Sequence, residues 1–269
     1  MISIEMITKN DNFINKSIDA ILDQDYQNYE IIIVDSSDKS HYSEYQNREH
    51  IIYVYDKNSN FLKSRYNANK IAKGDYVLLM DSTRIIKKDL LRDCITLIKT
   101  DDMIIIPEIS KSKAKLLNED KELPIKTEYI LSNCNPINGI FIPRFYKREL
   151  LDKAFKEVLR NTEDKIDNIC SLEDRMLYLE AFKISEKIGV YKNYIIHREA
   201  NSLISYIKKY YRYGRCNYYI FSRIDNYSYL ANPKVKSKNK NPLIYNNSIK
   251  TKMLFFIRSI SFILGFTIK

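Results

Sequence analysis

The sequence predicts an α/β fold in which about the first 110 residues form a mostly parallel, doubly wound sheet flanked by helices. Three observations predict it. The runs Glu30–Val34 and Tyr76–Met80 are almost wholly apolar, as strands buried on both faces are. Both stop at an aspartate followed by a serine, Asp35-Ser36 and Asp81-Ser82. Strand-like runs also alternate with apolar series at helical spacing. In open α/β sheets ligands bind beyond the carboxyl ends of the strands, so the two aspartates stand where a ligand would sit. For either run alone, an Asp-Ser pair that begins a turn or caps a helix explains the pattern equally well. Its repetition in adjacent units favours a site.

Ile2–Ile7 reads as the first strand, and Asp11 precedes Ile14, Ile18, Ile21 and Leu22 at helical spacing. Glu30–Val34 is the second strand and Ile51–Tyr55, after a polar stretch, the third. A helix is expected from Leu62 to Lys73, because Gly74 sits where a helix C-terminal glycine belongs and Tyr76 begins the next strand at once. Met103–Ile106, closed by Pro107, is a fifth strand. A polar stretch from Ser110 to Glu128 precedes the strand-like Gly139–Pro143 and a helix over Lys147–Leu159. Ser171 and Asp174 have the Ser-x-x-acid form of a capping box, which predicts a helix start. Ile188–His197 is strand-like, and Ser202–Phe221 is a Tyr-rich helix. Asn232–Pro242 is basic and poor in apolar residues, so a linker or lid is expected. Met253–Ile268 is apolar, carries Arg258, and is shorter than the ~20 residues that span a bilayer. It fits an interfacial helix behind a basic linker, with docking on the protein's own core as the competing reading. The chain thus divides into a ligand-binding half (1–110), a second-substrate half of the same domain (111–221), a basic linker (222–252) and a C-terminal helix (253–269).

Hydrophobic residues make up 45% of the 269-residue chain, with 22 Tyr, 11 Phe and no Trp, which argues against wholesale disorder. Cys94, Cys134, Cys170 and Cys216 are far apart and form no CxxC pair, so neither a zinc ribbon nor a disulfide framework is expected and a reducing cytoplasm fits. Met1 leads straight into strand-like residues, without the basic region or cleavage site of a signal peptide. The net charge of +10 is uneven: residues 201–269 hold thirteen Lys/Arg against the one acid Asp225, and the first 200 residues hold 31 basic and 33 acidic groups. Such a tail favours a polyanionic surface, either nucleic acid or the anionic face of a membrane.

Four stretches in order, Ile2–Asn10, Ser17–Ser36, Ser64–Asn67 and Ile71–Ser82, resemble the family 2 glycosyltransferases, whose nucleotide-binding half has the Rossmann-like fold called GT-A. The resemblance implies inverting transfer of a sugar from a nucleotide-diphosphate donor to a hydroxyl of a glycan or lipid-linked acceptor. Such a donor needs hydrogen bonds to its base and ribose and positive charge against its diphosphate. By resemblance, Thr8 and Asn10 lie in the loop holding the nucleoside, Asp35 reaches the base and Arg65 contacts the nucleotide; an exposed helical cation is the alternative for Arg65. Asp81 matches the first aspartate of the family's Asp-x-Asp motif, which meets the ribose and a divalent metal, Mn²⁺ or Mg²⁺, with Ser82 beside it. Here the motif reads Asp81-Ser82-Thr83, and a Thr hydroxyl is a weak neutral ligand for such cations. Metal dependence is therefore in question, and Arg84, next in the chain, is placed to neutralise the diphosphate instead.

Gly139–Leu150 is similar to the family's acceptor-side strand and helix, and Leu172–Leu177 to its Glu-Asp motif. That match makes Asp174 the base that takes the proton of the attacking hydroxyl, with Glu173 orienting the acceptor or the helix end. Read from spacing alone, Asp174 serves a cap. His197, near a histidine that completes the metal or diphosphate site in many members, is either a ligand or a satisfied structural histidine. Lys208, Arg212 and Arg215 share one face of the Tyr-rich helix, either to bind phosphate of the donor or of a lipid carrier or as an ordinary solvated face. The expectation is a peripheral enzyme on the cytoplasmic membrane face, without a nucleic-acid partner. Its rivals are a catalytically degenerate GT-A scaffold and a basic nucleic-acid-binding protein that stacks bases on tyrosines. A sugar-phosphate nucleotidyltransferase finds no Gly-rich basic loop after the first strand, and the chain has only five Gly.

Overall fold

The computed structural model describes all residues except 12, 41, 46, 47, 113, 115, 116, 118–124, 233–248 and 269. Strands β1 (Ile2–Thr8), β2 (Tyr29–Asp35), β3 (Ile51–Tyr55) and β4 (Tyr76–Asp81) run parallel in the order β3-β2-β1-β4. β1 and β2 are buried along their whole lengths, because helices cover both faces. α1 (Ile14–Leu22) puts Ile14, Ile18 and Ile21 against one face. After the single turn α2 (Tyr42–Tyr45), α3 (Phe61–Ile71) covers the other with Leu62 and Ala68. β2 lies on one side of β1 and β4 on the other, so β1 and β4 flank the point where strand order reverses. Thr8 pairs with Asp35 and Ile7 with Asp81, which brings three strand ends to one edge at that switch point.

The chain continues through β5 (Arg84–Ile85), α4 (Leu90–Leu97), β6 (Met103–Ile105), β7 (Glu108–Lys111) and α5 (Thr127–Ser132). There follow β8 (Pro143–Lys147), α6 (Arg148–Thr162), α7 (Glu173–Phe182), β9 (Ile188–Val190) and β10 (Ile195–Arg198). β8 inserts antiparallel between β4 and β6, and β9 joins β6 in parallel, completing a seven-stranded sheet. A second sheet, β5-β10-β7, gathers Arg84, Glu108 and His197. The single strand expected over 188–197 is therefore two, in different sheets. The strand expected at 139–143 begins only at Pro143, because Gly139 closes a tight turn by donating its N–H to Asn135 O at 2.7 Å.

Three expectations about the second half are corrected. The Ser171–Asp174 capping box does not form: Leu172 precedes α7 in the left-handed conformation (φ 65°), and Ser171 Oγ accepts a hydrogen bond from Asn217 Nδ2 at 3.1 Å. Cys170 and Cys216 are joined as a disulfide with Cα atoms 5.9 Å apart, a pairing that a separation of 46 residues does not announce. The segment after Arg223 packs on the core and is not a linker, with Ile224, Tyr227, Leu230 and Ala231 buried across the turn Asp225–Tyr227 and helix α9 (Ser228–Ala231). Of the expected linker, 249–252 are helical and 233–248 lie outside the described residues.

α8 (Leu203–Arg223) starts with a capping box between Ser202 and Ser205, and α10 (Ile249–Thr267) lies along it. Gly214 faces the backbone of Phe262 and Phe266, and Gly265 that of Tyr211, so any side chain there would push the helices apart. The C-terminal helix is thus docked on the protein, while Phe256 (65%), Ile260, Ile263 and Leu264 remain exposed.

Glu5, fully buried in β1, has no hydrogen-bond partner for either carboxylate oxygen. Burial outweighs the pull of Arg65 and pushes its pKa up to about 8 from 4.5. A carboxyl raised in the folded state contributes stability that is complete below its unfolded pKa and lost as pH rises through its folded pKa. Urea unfolding at pH ~5 and pH ~9 is expected to show a loss of stability for the wild type and a smaller loss for Glu5→Gln.

Candidate active site

A cleft of about 1270 Å³ opens at the carboxyl ends of β1 and β4 and extends between the start of α7, the end of β10 and helices α8 and α10. Thr8, Asp81, Ser82, Thr83 and Arg84 line its sheet side. Glu173 and Asp174 face it from the first turn of α7, and His197 and Arg212 from the opposite wall. The remaining expected residues do not line it. Asp35 is fully buried and accepts from Ser37 N at 2.8 Å and from the Tyr53 hydroxyl. Asn10 sits in a loop at φ 52° and bonds Asp38, and Gly139 is part of the turn that precedes β8. Lys208 and Arg215 are exposed on α8 outside the cleft. Lys209 lines it instead, paired with Glu199 at 2.7 Å.

Arg65 lies beneath the cleft, neither exposed nor on its wall. Its Nη1 donates to Glu5 O at 3.1 Å and to Met80 O at 2.5 Å, and its Nη2 pairs with Asp81 Oδ1. Its hydrogen bonds thus go to the middle of β1, to the end of β4 and to the carboxylate that terminates β4. The other oxygen of Asp81 pairs with Arg84 Nη1. Arg84 Nε donates to Glu108 Oε1 at 2.8 Å, the same oxygen accepts from Arg144 Nε, and Arg144 Nη2 stands 3.7 Å from Asp174 Oδ2. An alternating chain of charges, Arg65-Asp81-Arg84-Glu108-Arg144-Asp174, therefore runs from the switch point to the candidate base.

Burial favours the neutral form of Glu108, but Arg144 and Arg84 outweigh it and hold its carboxyl well below the usual range. Burial and the like charge of Arg144 lower Arg84 to about 10, which leaves it charged at neutral pH. Burial, then Lys209 and Arg84, draw His197 well below its usual value, so at pH 7 it is neutral. Glu173 is pushed up to about 7 by burial and by its neighbour Asp174. A carboxyl of that pKa divides between proton donor and acceptor near neutral pH. Leu172 pays for this display with backbone strain, since a non-glycine residue at positive φ costs roughly 1–2 kcal/mol. Arg175 anchors the turn by donating to Pro136 O and Gly139 O, both at 2.9 Å.

The donor set does not fit a divalent cation. Both oxygens of Asp81 are engaged by guanidinium groups, and Thr83 offers only a hydroxyl. His197 Nδ1 lies 3.7 Å from Glu108 Oε2. Among the described residues no three His, Cys, Asp or Glu side chains cluster as metal ligands.

Glu108 and Arg144 escaped the sequence reading, though both left a signal. Glu108 follows Met103–Pro107 as a third acid beyond a strand, and Arg144 is a cation directly after the apolar run 139–143.

The topology is that of the GT-A fold. The chain belongs to glycosyl transferase family 2, whose sequence pattern matches residues 3–155. A comparison with curated protein sequences finds no match. Among solved structures, S. aureus TarS 1-349 is similar at 17% identity and a TM-score of 0.55, over 99% of this chain and 81% of that one. TarS 1-349 in complex with UDP-GlcNAc is similar at 16% identity and a TM-score of 0.53, over 98% and 81%. A longer TarS structure matches at 18% identity and a TM-score of 0.52, and this chain spans 40% of its length.

Glu108→Gln leaves Arg84 and Arg144 without their shared anion. Breaking buried pairs in this way is expected to lower the free energy of unfolding in urea by about 3–5 kcal/mol.

Proposed function

We propose that this protein transfers a sugar from a nucleoside-diphosphate donor to an acceptor hydroxyl with inversion, Asp174 being the base. The observation that carries the proposal is that Asp81, at the switch point, and Asp174 open into one cleft and are tied together by one chain of ion pairs built on buried arginines. The complex of the similar S. aureus TarS with UDP-GlcNAc supports a uridine nucleotide as the first donor to test. The acceptor oxygen attacks the anomeric carbon on the face opposite the diphosphate as the Asp174 carboxylate takes its proton. The bond from that carbon to the diphosphate oxygen breaks, and the electron pair leaves with the nucleoside diphosphate. Arg84 faces the charge that develops there, and Glu173 orients the acceptor. Asp174→Asn is expected to lower turnover by ~10²–10⁴-fold while UDP affinity, read by calorimetry, stays within about twofold. A variant that keeps most of its turnover would refute the assignment.

The second part of the proposal is attachment to an anionic membrane face. Exposed Ile204, Phe256, Ile260 and Leu264 stand on α8 and α10 together with exposed Lys208 and Arg215, a combination that suits an interfacial surface. No helix among the described residues is long and apolar enough to cross a membrane. Sedimentation with vesicles is expected to favour phosphatidylglycerol over phosphatidylcholine, and Ile260→Asp with Leu264→Asp to weaken binding about tenfold or more. Equal binding by that variant would exclude this surface.

A further inference from the structure

We propose that the guanidinium of Arg84 takes the place of a divalent cation against the donor diphosphate, and that Glu108 positions it. The inference rests on the nucleotide-donor reading above and adds the identity of the counter-charge.

Arg84 lines the cleft one residue beyond the position where the family's second aspartate would stand, and its side chain is only 5% exposed. Asp81 holds Nη1 and Glu108 holds Nε at 2.8 Å, so the plane of the guanidinium is fixed from two sides. Nη2 makes no hydrogen bond within the protein among the described residues. A fixed planar fork with N–H groups to offer is what phosphate oxygens bind best. Glu108 is itself fixed by Arg144 and lies beside His197. It therefore acts through Arg84 as a positioning residue and not by touching the donor.

The same geometry opposes a metal ion. To ligate one, Asp81 would have to leave Arg65 or Arg84, each of which already holds one of its oxygens. Thr83 gives no anion in return. A nucleoside diphosphate meets the opposite situation, since Lys and Arg outnumber Asp and Glu along the cleft wall.

Calorimetric binding of UDP and of uridine to the full chain, with Mn²⁺ and with EDTA, tests the inference. UDP is expected to bind with affinities that agree within about twofold in the two buffers. Arg84→Gln should weaken UDP by about tenfold or more, Arg84→Lys by less, and Mn²⁺ should not restore either. Uridine, which lacks the diphosphate, should bind both variants as it binds the wild type, which separates loss of a phosphate contact from loss of folding. UDP binding that needs Mn²⁺, or unchanged UDP affinity in Arg84→Gln, would overturn the inference and leave the donor reading intact. Failure of UDP, GDP and dTDP alike to bind the wild type in either buffer would overturn both.

Discussion

The carboxylate of Asp81, held between Arg65 and Arg84, is the constraint on which the site depends. Arg65 is fully buried under the sheet edge, where an unpaired charge would cost several kcal/mol. It is tolerated because Glu5 O, Met80 O and Asp81 engage both of its terminal nitrogens, although Nε is left without a partner. The cost of burying that cation is thereby turned into a fixed position for the anion, and Asp81 in turn fixes Arg84. The same logic passes from Arg84 to Glu108, from Glu108 to Arg144, and from Arg144 to Asp174. Buried ion pairs add little net stability compared with apolar packing. Their effect here is geometric, since they set Asp174 at a defined place relative to Asp81 at the strand-order reversal.

Each member of the chain comes from a different element, so the fold is the device that assembles it. β1 and β4 meet at the strand-order reversal, β5 and β7 supply Arg84 and Glu108 from the small second sheet, and β8 crosses antiparallel to deliver Arg144. α7 must then start at the cleft wall, and it does so after a left-handed Leu172. That start is braced on three sides. Arg175 ties it to the turn at 136–139, Asn217 of α8 bonds Ser171, and Cys170 joins Cys216. Strain at a position so heavily supported is typical of sites where a side chain must be displayed.

Much of this architecture was legible in the chain. Unbroken apolar runs marked β2 and β4, and their terminal aspartates marked the edge where the cleft lies. Elements that bury apolar faces at regular spacing, such as α1 and α3, could be placed within a few residues. Roles were less legible than positions. Asp35 and Arg65 sit at the expected edge but face inward, because sequence order places a residue at a strand or helix end without fixing which layer its side chain enters. Lys208 and Lys209 differ by one position on α8, a rotation of about 100°, and only Lys209 reaches the cleft. The Ser171 cap failed because a distant partner, Asn217, took the hydroxyl. Glu108 and Arg144 each left only a faint local signal, and no local pattern announces a pairing between residues 36 apart.

The C-terminal quarter shows how one apolar segment serves two surfaces. The Gly214 and Gly265 contacts seat α10 on α8, yet α10 is apolar around most of its circumference. One side closes the cleft with Phe255, Phe262 and Ile263, while Ile260 and Leu264 remain exposed. The proposed activity requires that this cleft hold a sugar donor between Arg84 and Asp174. A crystal structure of the complex with UDP-GlcNAc tests it most directly. The diphosphate is predicted to lie against Arg84, with the anomeric carbon turned toward Asp174. A donor whose diphosphate lies out of reach of Arg84, or whose sugar points away from Asp174, would contradict it.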